Sequence, residues 1–235
     1  MKDYSTNNII NLALTGHATT GKTTLAEAMV CNAGIIHKMG SIDAGTTVSD
    51  YREYEIQNQH SISLTLMNLE WDEKKFNILD TPGYLDFHGE VKSAMRVADI
   101  AGIVVSATEG IDIGTELCCD YADKEYSIPK LFIINMLDKD HTDFDLVLAA
   151  LQDRYGRSVF PFTLPVNPGP GFNQVADVLR KETFIFQGDG SGNYAAVSSE
   201  GDWGKRLEDF HNELIELIAE SDESLLEIFF DKGEL

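Results

Sequence analysis

A glycine-rich loop near the amino terminus constrains this chain more than any other feature. Residues 16–23 read GHATTGKT and match G-x-x-x-x-G-K-[ST] at every fixed position. Gly16 and Gly21 let backbone N–H groups turn inward around phosphate oxygens at the start of a helix. Lys22 reaches the β- and γ-phosphates, and the Thr23 hydroxyl is a ligand for Mg²⁺. The loop predicts a nucleotide-phosphate site made by Gly16, His17, Ala18, Thr19, Thr20, Gly21, Lys22, Thr23 and Thr24.

Short apolar segments alternate with segments of helical period through the first two thirds of the chain. Continuous apolar runs such as Ile100–Ser106 are typical of parallel strands covered on both faces. The charged segment Asp72–Lys75 separates two strand patterns and predicts a hairpin. The alternation predicts an α/β fold with a mostly parallel, doubly wound sheet and helices on both faces. The predicted strands are Ile9–Thr15, Ser61–Trp71, Phe76–Asp80, Ile100–Ser106 and Leu131–Asn135, and the predicted helices are Lys22–Ala33, Phe87–Val97, Gly114–Glu125 and Asp143–Tyr155.

The pattern changes near Val159. Proline and glycine interrupt the sequence PFTLPVNPGPGF, and two short strand-like segments follow at Gln174–Leu179 and Thr183–Gln187. The segment QGDGSGN predicts an exposed loop, and the chain after Trp203 is acidic with the apolar period of a helix. We therefore predict two domains, a nucleotide-binding domain over residues 1–158 and a small α+β subdomain over residues 159–235.

Composition excludes several classes of function. The 39 acidic residues outnumber the 18 Lys and Arg residues, and the formal net charge of −21 argues against an extensive nucleic-acid surface. Three cysteines cannot form a disulfide framework, and an odd number favours a reducing cytosol. The polar start MKDYSTNN is not a secretory signal, and the apolar runs are too short to cross a bilayer. These features predict a cytoplasmic monomer without a membrane partner.

A second motif follows the predicted strand that ends at Asp80. Its four residues fit D-x-x-G, which is the usual second half of a P-loop site. The Asp80 carboxylate holds a Mg²⁺-bound water, and the Gly83 N–H meets the γ-phosphate. This motif adds Asp80, Thr81, Pro82 and Gly83 to the predicted site.

A third motif closes the predicted strand Leu131–Asn135. The residues Asn135, Met136, Leu137 and Asp138 look like the N-K-x-D element of GTPases, with methionine in place of lysine. A carboxylate at Asp138 accepts two hydrogen bonds from the N1–H and the amino group of guanine, which adenine does not offer. Asn135 ties this segment to the phosphate loop, and the Met136 thioether covers the base. The motif predicts that the nucleotide is GTP or GDP.

Four further segments carry a resemblance to a known family. After the phosphate loop the chain contains, in order, HKMGSIDAGTTVSD, DTPGYLDFHGEV, VVSATEGIDIGTE and NMLDKDHTDF. Together they resemble elongation factor G along nearly the whole chain. The resemblance is strongest to the elongation factor G-like paralogues and to the tetracycline ribosomal protection proteins. The tail FHNELIELIAESDESLLEIFFDKGEL resembles the helical end of the subdomain that elongation factor G inserts into its G domain.

The resemblance implies a P-loop GTPase fold, GTP hydrolysis and a ribosomal partner. It also implies that the last strand and helix of the G domain, with a Ser-Ala turn that reads guanine O6, lie beyond Leu235. In the family the first switch, residues 37–63 here, provides a hydroxyl ligand for Mg²⁺, and Ser61 keeps that hydroxyl. Thr19 stands where relatives have an aspartate that helps to hold a monovalent cation.

The sequence departs from the family at the residue that orients the attacking water. Tyr84 replaces a histidine after D-T-P-G, and a phenol is a poorer base than an imidazole at neutral pH. Two apolar residues that usually flank this histidine map onto Ala18 and His60. We therefore expect slow hydrolysis, with Tyr84 and His60 as the candidate catalytic residues; in one alternative, His60 substitutes for the missing histidine.

Other interpretations stay open at this point. The domain is either a GTP hydrolase or a nucleotide-gated ribosome-binding module that does not hydrolyse GTP, and a ribosomal protection protein is a further alternative. A P-loop ATPase is a third class, against which Asp138 argues.

Overall fold

A computed structural model describes residues 2–188, 190–199 and 201–232. The chain divides into two compact units, Met1–Met136 and Leu137–Leu235. Across the described ranges, every helix is too short or too polar to cross a membrane. The α/β architecture with a small additional antiparallel unit, predicted from the alternation of patterns, is confirmed.

The first unit is built on a five-stranded sheet with the strand order β2-β3-β1-β4-β5. β2 runs antiparallel to β3, whereas β3, β1, β4 and β5 are parallel to one another. Parallel strands place their carboxyl ends, and the loops that follow them, at one edge of the sheet. The strands are β1 (Ile9–Thr15), β2 (Thr65–Trp71), β3 (Lys74–Asp80), β4 (Ile100–Ser106) and β5 (Lys130–Asn135).

Helices cover both faces of this sheet. Leu12 and Leu14 of β1 pack with Ala26 and Val30 of α1, and Ala13, which points the other way, packs with Ala94 of α3. The predicted doubly wound arrangement is thus present in the core. The helices of this unit are α1 (Lys22–Asn32), α2 (Glu53–Asn58), α3 (His88–Met95) and α4 (Ile113–Asp120), with a π-helical turn at Tyr121–Tyr126 and 3₁₀ turns at Thr6–Asn8 and Leu85–Phe87.

The strand predicted over Ser61–Trp71 begins only at Thr65. The backbone N–H groups of Ile62 and Ser63 donate to the Glu55 carboxylate, and that of Leu64 donates to Glu90. These donors therefore have side-chain partners instead of a strand partner. The hairpin itself is confirmed, with a tight turn at two residues of positive φ, Asp72 and Glu73.

Over its described residues, the second unit contains a four-stranded antiparallel sheet in the order β6-β7-β8-β9 and three helices. The sequence predicted β7, β8 and the helical tail, but it missed β6 and β9 here and α2 in the first unit, which are all short. Asp189 of the predicted loop and residues 233–235 of the helical tail lie outside the described residues. The elements are α5 (Phe144–Tyr155), β6 (Thr163–Pro165), β7 (Gln174–Asp177), β8 (Glu182–Phe186), β9 (Tyr194–Val197), α6 (Gly201–Glu220) and α7 (Glu223–Lys232).

Candidate nucleotide-binding site

The phosphate loop connects β1 to α1 through a backbone that only glycine adopts easily. Gly16 has φ +132° and Gly21 has φ +87°. A Cβ atom on Gly16 would overlap the carbonyl oxygen of Val104, and one on Gly21 would lie 2.5 Å from Asn135 Nδ2. Thr19 also has a positive φ, 65°. The loop backbone therefore packs closely against β4 and β5, and its shape follows from its glycines.

Lys22 is buried inside this loop. Its Nζ donates to the carbonyl oxygen of His17 at 2.5 Å, and only 5% of the residue is exposed. Burial lowers the pKa of Lys22 to about 8. Gly83 lies directly beside it, since a Cβ on Gly83 would be 2.6 Å from Lys22 Nζ and from the Cα of Ala18. A buried ammonium favours an anionic partner, so this is where a phosphate would be stabilised most.

Two hydroxyl groups donate to the carboxylate of Asp80, and a third lies next to one of them. Thr23 Oγ1 donates to Asp80 Oδ2 at 2.8 Å, and Ser49 Oγ donates to the same oxygen at 2.6 Å. Ser61 Oγ lies 3.2 Å from Thr23 Oγ1. Asp80 is 1% exposed, its Oδ1 has no hydrogen-bond partner, and burial raises the pKa of its carboxyl group to about 6. The structure thus brings together the three residues proposed from the sequence for Mg²⁺.

The donor set fits Mg²⁺ bound together with a nucleotide. The oxygens of Thr23, Ser61 and Asp80 are hard ligands, and the unpartnered Oδ1 of Asp80 leaves an acceptor available to a metal-bound water. Among the described residues no group of three or more His, Cys, Asp and Glu side chains is arranged to hold a metal by itself. Mg²⁺ is usually held by few carboxylates plus substrate phosphates, so the two observations agree.

Two residues next to this cluster were not singled out from the sequence. Ser49 is the hydroxyl partner of Asp80 just described, and Asp50 follows it with 4% of its surface exposed. Burial raises the pKa of the Asp50 carboxyl group, and the Ser61 side chain opposes that shift. A serine and an aspartate in a polar loop are common in turns, so their burial could not be inferred from the sequence.

The two candidate catalytic residues lie against each other. The rings of His60 and Tyr84 are 4.8 Å apart between centroids, at an interplanar angle of 60°. Phe87 extends the contact, with its ring 6.3 Å from that of His60. His60 Nδ1 is 3.3 Å from the carbonyl oxygen of Ser61, and 42% of Tyr84 is exposed. Ala18 is buried in the phosphate loop. The first switch and the D-x-x-G segment therefore meet through an aromatic pair.

The N-x-x-D segment, Asn135–Asp138, crosses the boundary between the two compact units in the sequence. In the first unit Asn135 Nδ2 donates to the carbonyl oxygen of Thr20 at 2.8 Å, which is the tie to the phosphate loop that the sequence predicted. Met136 has φ +62°, and its Cε would lie 3.8 Å from a Cβ on Gly21. Asp138 belongs to the second unit, where its exposed carboxylate lies 3.8 Å from Lys139 Nζ.

Two of the remaining residues of the predicted site, Thr81 and Thr20, have hydrogen-bond partners in the first unit. Thr81 donates through both its N–H and its hydroxyl to the carbonyl oxygen of Leu14, which fixes the start of the D-x-x-G turn on β1. Thr20 Oγ1 donates to the carbonyl oxygen of His17 at 3.0 Å. Pro82 is buried, and Thr24 is exposed on the first turn of α1.

Comparisons with known proteins agree with this geometry. The family described as elongation factor Tu GTP binding domain matches residues 7–229. A crystal structure of a protein from Thermus thermophilus superposes with a TM-score of 0.88 at 30% sequence identity, covering 97% of this chain and 33% of the other. The chain thus spans about a third of the length of that protein.

Proposed function

Because the chain belongs to the family of elongation factor Tu GTP-binding domains, we propose that it is the guanine-nucleotide switch of an elongation factor G-like protein that works on the ribosome. Recognition of such a translational GTPase domain from the sequence motifs is confirmed. The observation that carries the proposal is the adjacency of buried Lys22, Gly83 and the Thr23–Asp80 pair. A γ-phosphate placed there contacts two separate motifs at once.

The proposed switch works through contacts that GTP makes and GDP does not. Lys22 and the N–H groups of the phosphate loop bind the β-phosphate of either nucleotide. Gly83 meets only the γ-phosphate, and Ser61 would hold the Mg²⁺ that accompanies GTP, so we expect the two segments to be released after hydrolysis. When bound, Mg²⁺ neutralises charge on the phosphates.

The proposal includes a cytoplasmic monomer in which residues 1–158 bind the nucleotide and residues 159–235 form an inserted subdomain.

Guanine recognition is assigned to Asp138. Asp138→Asn replaces a pair of acceptors with one acceptor and one donor, so we expect GDP affinity to fall by about tenfold or more and xanthosine diphosphate to bind better than in the wild type. Calorimetric titration with both diphosphates measures this. Lys139→Ala, which removes the exposed neighbour of Asp138, is the matched control and leaves the preference for guanine unchanged. Equal GDP affinity in Asp138→Asn and wild type would show that Asp138 does not read the base.

Hydrolysis is proposed to be slow because Tyr84 occupies the place of the family histidine. The phenol donates one hydrogen bond but does not supply the charge of an imidazolium, and the protein's contribution to phosphoryl transfer is mainly positioning and electrostatic stabilisation. We expect Tyr84→His to raise the single-turnover rate on ribosomes by at least about tenfold in the full-length protein.

The contact between His60 and Tyr84 supports a second candidate mechanism, in which His60 handles the water. It makes the opposite prediction, that His60→Ala abolishes turnover and Tyr84→His adds little. If neither variant changes a rate that already equals that of a histidine-bearing factor, both assignments are wrong. The wild type could instead bind to ribosomes only when a GTP analogue is present and not hydrolyse GTP there. In that case the domain is a nucleotide-gated binding module.

A further inference from the structure

A buried glutamate on α1 holds the first switch by its backbone. Glu27 has no exposed surface, and its two carboxylate oxygens accept hydrogen bonds from two different parts of the switch. Gly40 N donates to Oε2 at 2.9 Å, and Val48 N donates to Oε1. No positively charged group has an ion pair with Glu27 among the described residues. A buried carboxylate of this kind depends on its N–H donors for stabilisation.

The segment that Glu27 holds is closed tightly on itself. A Cβ on Gly40 would lie 2.6 Å from the Cα of Thr47 and would overlap the carbonyl oxygen of Thr46. Glu27 therefore binds a compact turn at its two ends, Gly40 and Val48.

The bonds of Glu27 lead directly to the proposed metal ligands. Glu27 follows Thr23 by four residues on α1, so the two side chains lie on the same face of the helix. Val48 precedes Ser49, whose hydroxyl donates to Asp80 Oδ2, the same atom that accepts from Thr23. The carboxylate of Glu27 thus fixes the segment that delivers Ser49 to Asp80.

A second buried glutamate provides a contrast inside the same switch. Glu55 is also fully buried, but a single oxygen, Oε1, accepts from both Ile62 N at 3.1 Å and Ser63 N at 3.0 Å. Arg52 lies beside this carboxylate, with its backbone N donating to Oε2 at 3.4 Å and its Nη1 3.8 Å from Oε1. A glutamine at this position keeps the acceptor that the switch uses. At position 27 a glutamine presents an NH₂ group to one of the two N–H donors, so one bond is lost and two donors face each other.

We propose that Glu27 is a positioning residue for the first switch, which makes the affinity for GTP, but not that for GDP, depend on its carboxylate. The inference rests on the proposed function, because the γ-phosphate is the only part of the nucleotide assigned to the switch. Contacts to the β-phosphate come from the phosphate loop, which Glu27 does not touch in any hydrogen bond described above.

The test compares Glu27→Gln with Glu55→Gln in the 235-residue chain. Calorimetry with Mg²⁺ measures dissociation constants for GDP and for a non-hydrolysable GTP analogue. We expect Glu27→Gln to weaken binding of the analogue about tenfold, in line with the loss of a charge-assisted hydrogen bond, and to leave GDP binding within about twofold. Glu55→Gln is expected to change the ratio of the two constants by less than about threefold. Glu53→Gln, at an exposed position of α2, is the control and leaves both constants unchanged.

Three outcomes overturn the inference. Glu27→Gln could weaken the binding of GDP and of the analogue equally, as a purely structural role predicts, or it could weaken neither. In the third, Glu27→Gln and Glu55→Gln change the ratio of the two dissociation constants equally. If Glu27→Gln does not fold, Glu27→Asp keeps the charge but shortens the side chain by one methylene, and it must show the same selective loss of the analogue. If the wild-type chain binds neither nucleotide, the proposed function itself is wrong. If the wild type binds both nucleotides and Glu27→Gln binds them equally well, only the role of Glu27 is wrong.

Discussion

The phosphate loop and the first switch border the same cluster of oxygens, but they are held in different ways. The loop takes its shape from its own backbone, with Gly16 and Gly21 at positive φ and pressed against neighbouring atoms. The switch has its own tight turn at Gly40, but its backbone is also held by buried carboxylates, Glu27 from α1 and Glu55 from α2 within the switch itself. Because a few hydrogen bonds hold the switch, we expect it to move when they are broken. The phosphate loop, in contrast, is expected to change its conformation only when the domain unfolds.

The largest expected effect tests the rigid side of this comparison. Gly16→Ala combines a positive φ with overlap between its Cβ and the carbonyl oxygen of Val104. We expect the free energy of unfolding to fall by about 3 kcal/mol or more, measured by urea denaturation without nucleotide. Gly34→Ala, with φ +75° and open space around its Cβ, is the control and costs only about 1 kcal/mol. Equal losses of unfolding free energy in the two variants would mean that the close packing of the loop against Val104 does not affect stability.

Asp80 lies where the two regions meet, and its burial predicts an unusual dependence of stability on pH. Its pKa is raised from 3.8 to about 6, so the folded protein holds this proton more tightly than the unfolded chain does. The charged group therefore costs stability above pH 6, and this cost disappears as the pH falls from about 6 to about 4. Asp80→Asn removes the charge, so we expect the nucleotide-free domain to gain about 2 kcal/mol at pH 7.

Thermal unfolding of wild type and Asp80→Asn across this pH range measures the effect. The difference between the two proteins should be largest at pH 7 and small at pH 4, and the variant should also lose Mg²⁺-dependent nucleotide affinity. A stability difference that is the same at both pH values would show that the charge of Asp80 is not the cause.

The smallest effect concerns the bond from the switch to Asp80. Ser49→Ala removes the hydroxyl that donates to Asp80 Oδ2 at 2.6 Å, and we expect the nucleotide-free domain to lose about 1 kcal/mol in urea denaturation. Ser41→Ala, an exposed serine of the same switch, is the matched control and changes stability by less than about 0.5 kcal/mol. If both serines can be replaced without loss, the side chain of Ser49 does not help to hold the switch on Asp80.

The sequence by itself determined the parts of this protein whose conformation is set by neighbouring residues. The glycines of residues 16–23 specify the phosphate loop, and apolar runs specify the central strands, with β4 at the residues predicted, Ile100–Ser106. Turn residues and strand alternation were enough to predict the hairpin of β2 and β3. In each case the signal and the structure lie within a few residues of each other, so no distant contact had to be known.

Only the tertiary structure decided how the first switch is held. Whether Ile62, Ser63 and Leu64 continue a strand depends on Glu55 and Glu90, the latter 26 residues away from Leu64. The burial of Asp50 and Glu27 and the contact between His60 and Tyr84 likewise depend on segments brought together by folding. From the sequence alone, a charged side chain is predicted to be exposed to solvent. The free energy of burying it depends on which hydrogen-bond donors surround it, and these are known only after the chain has packed.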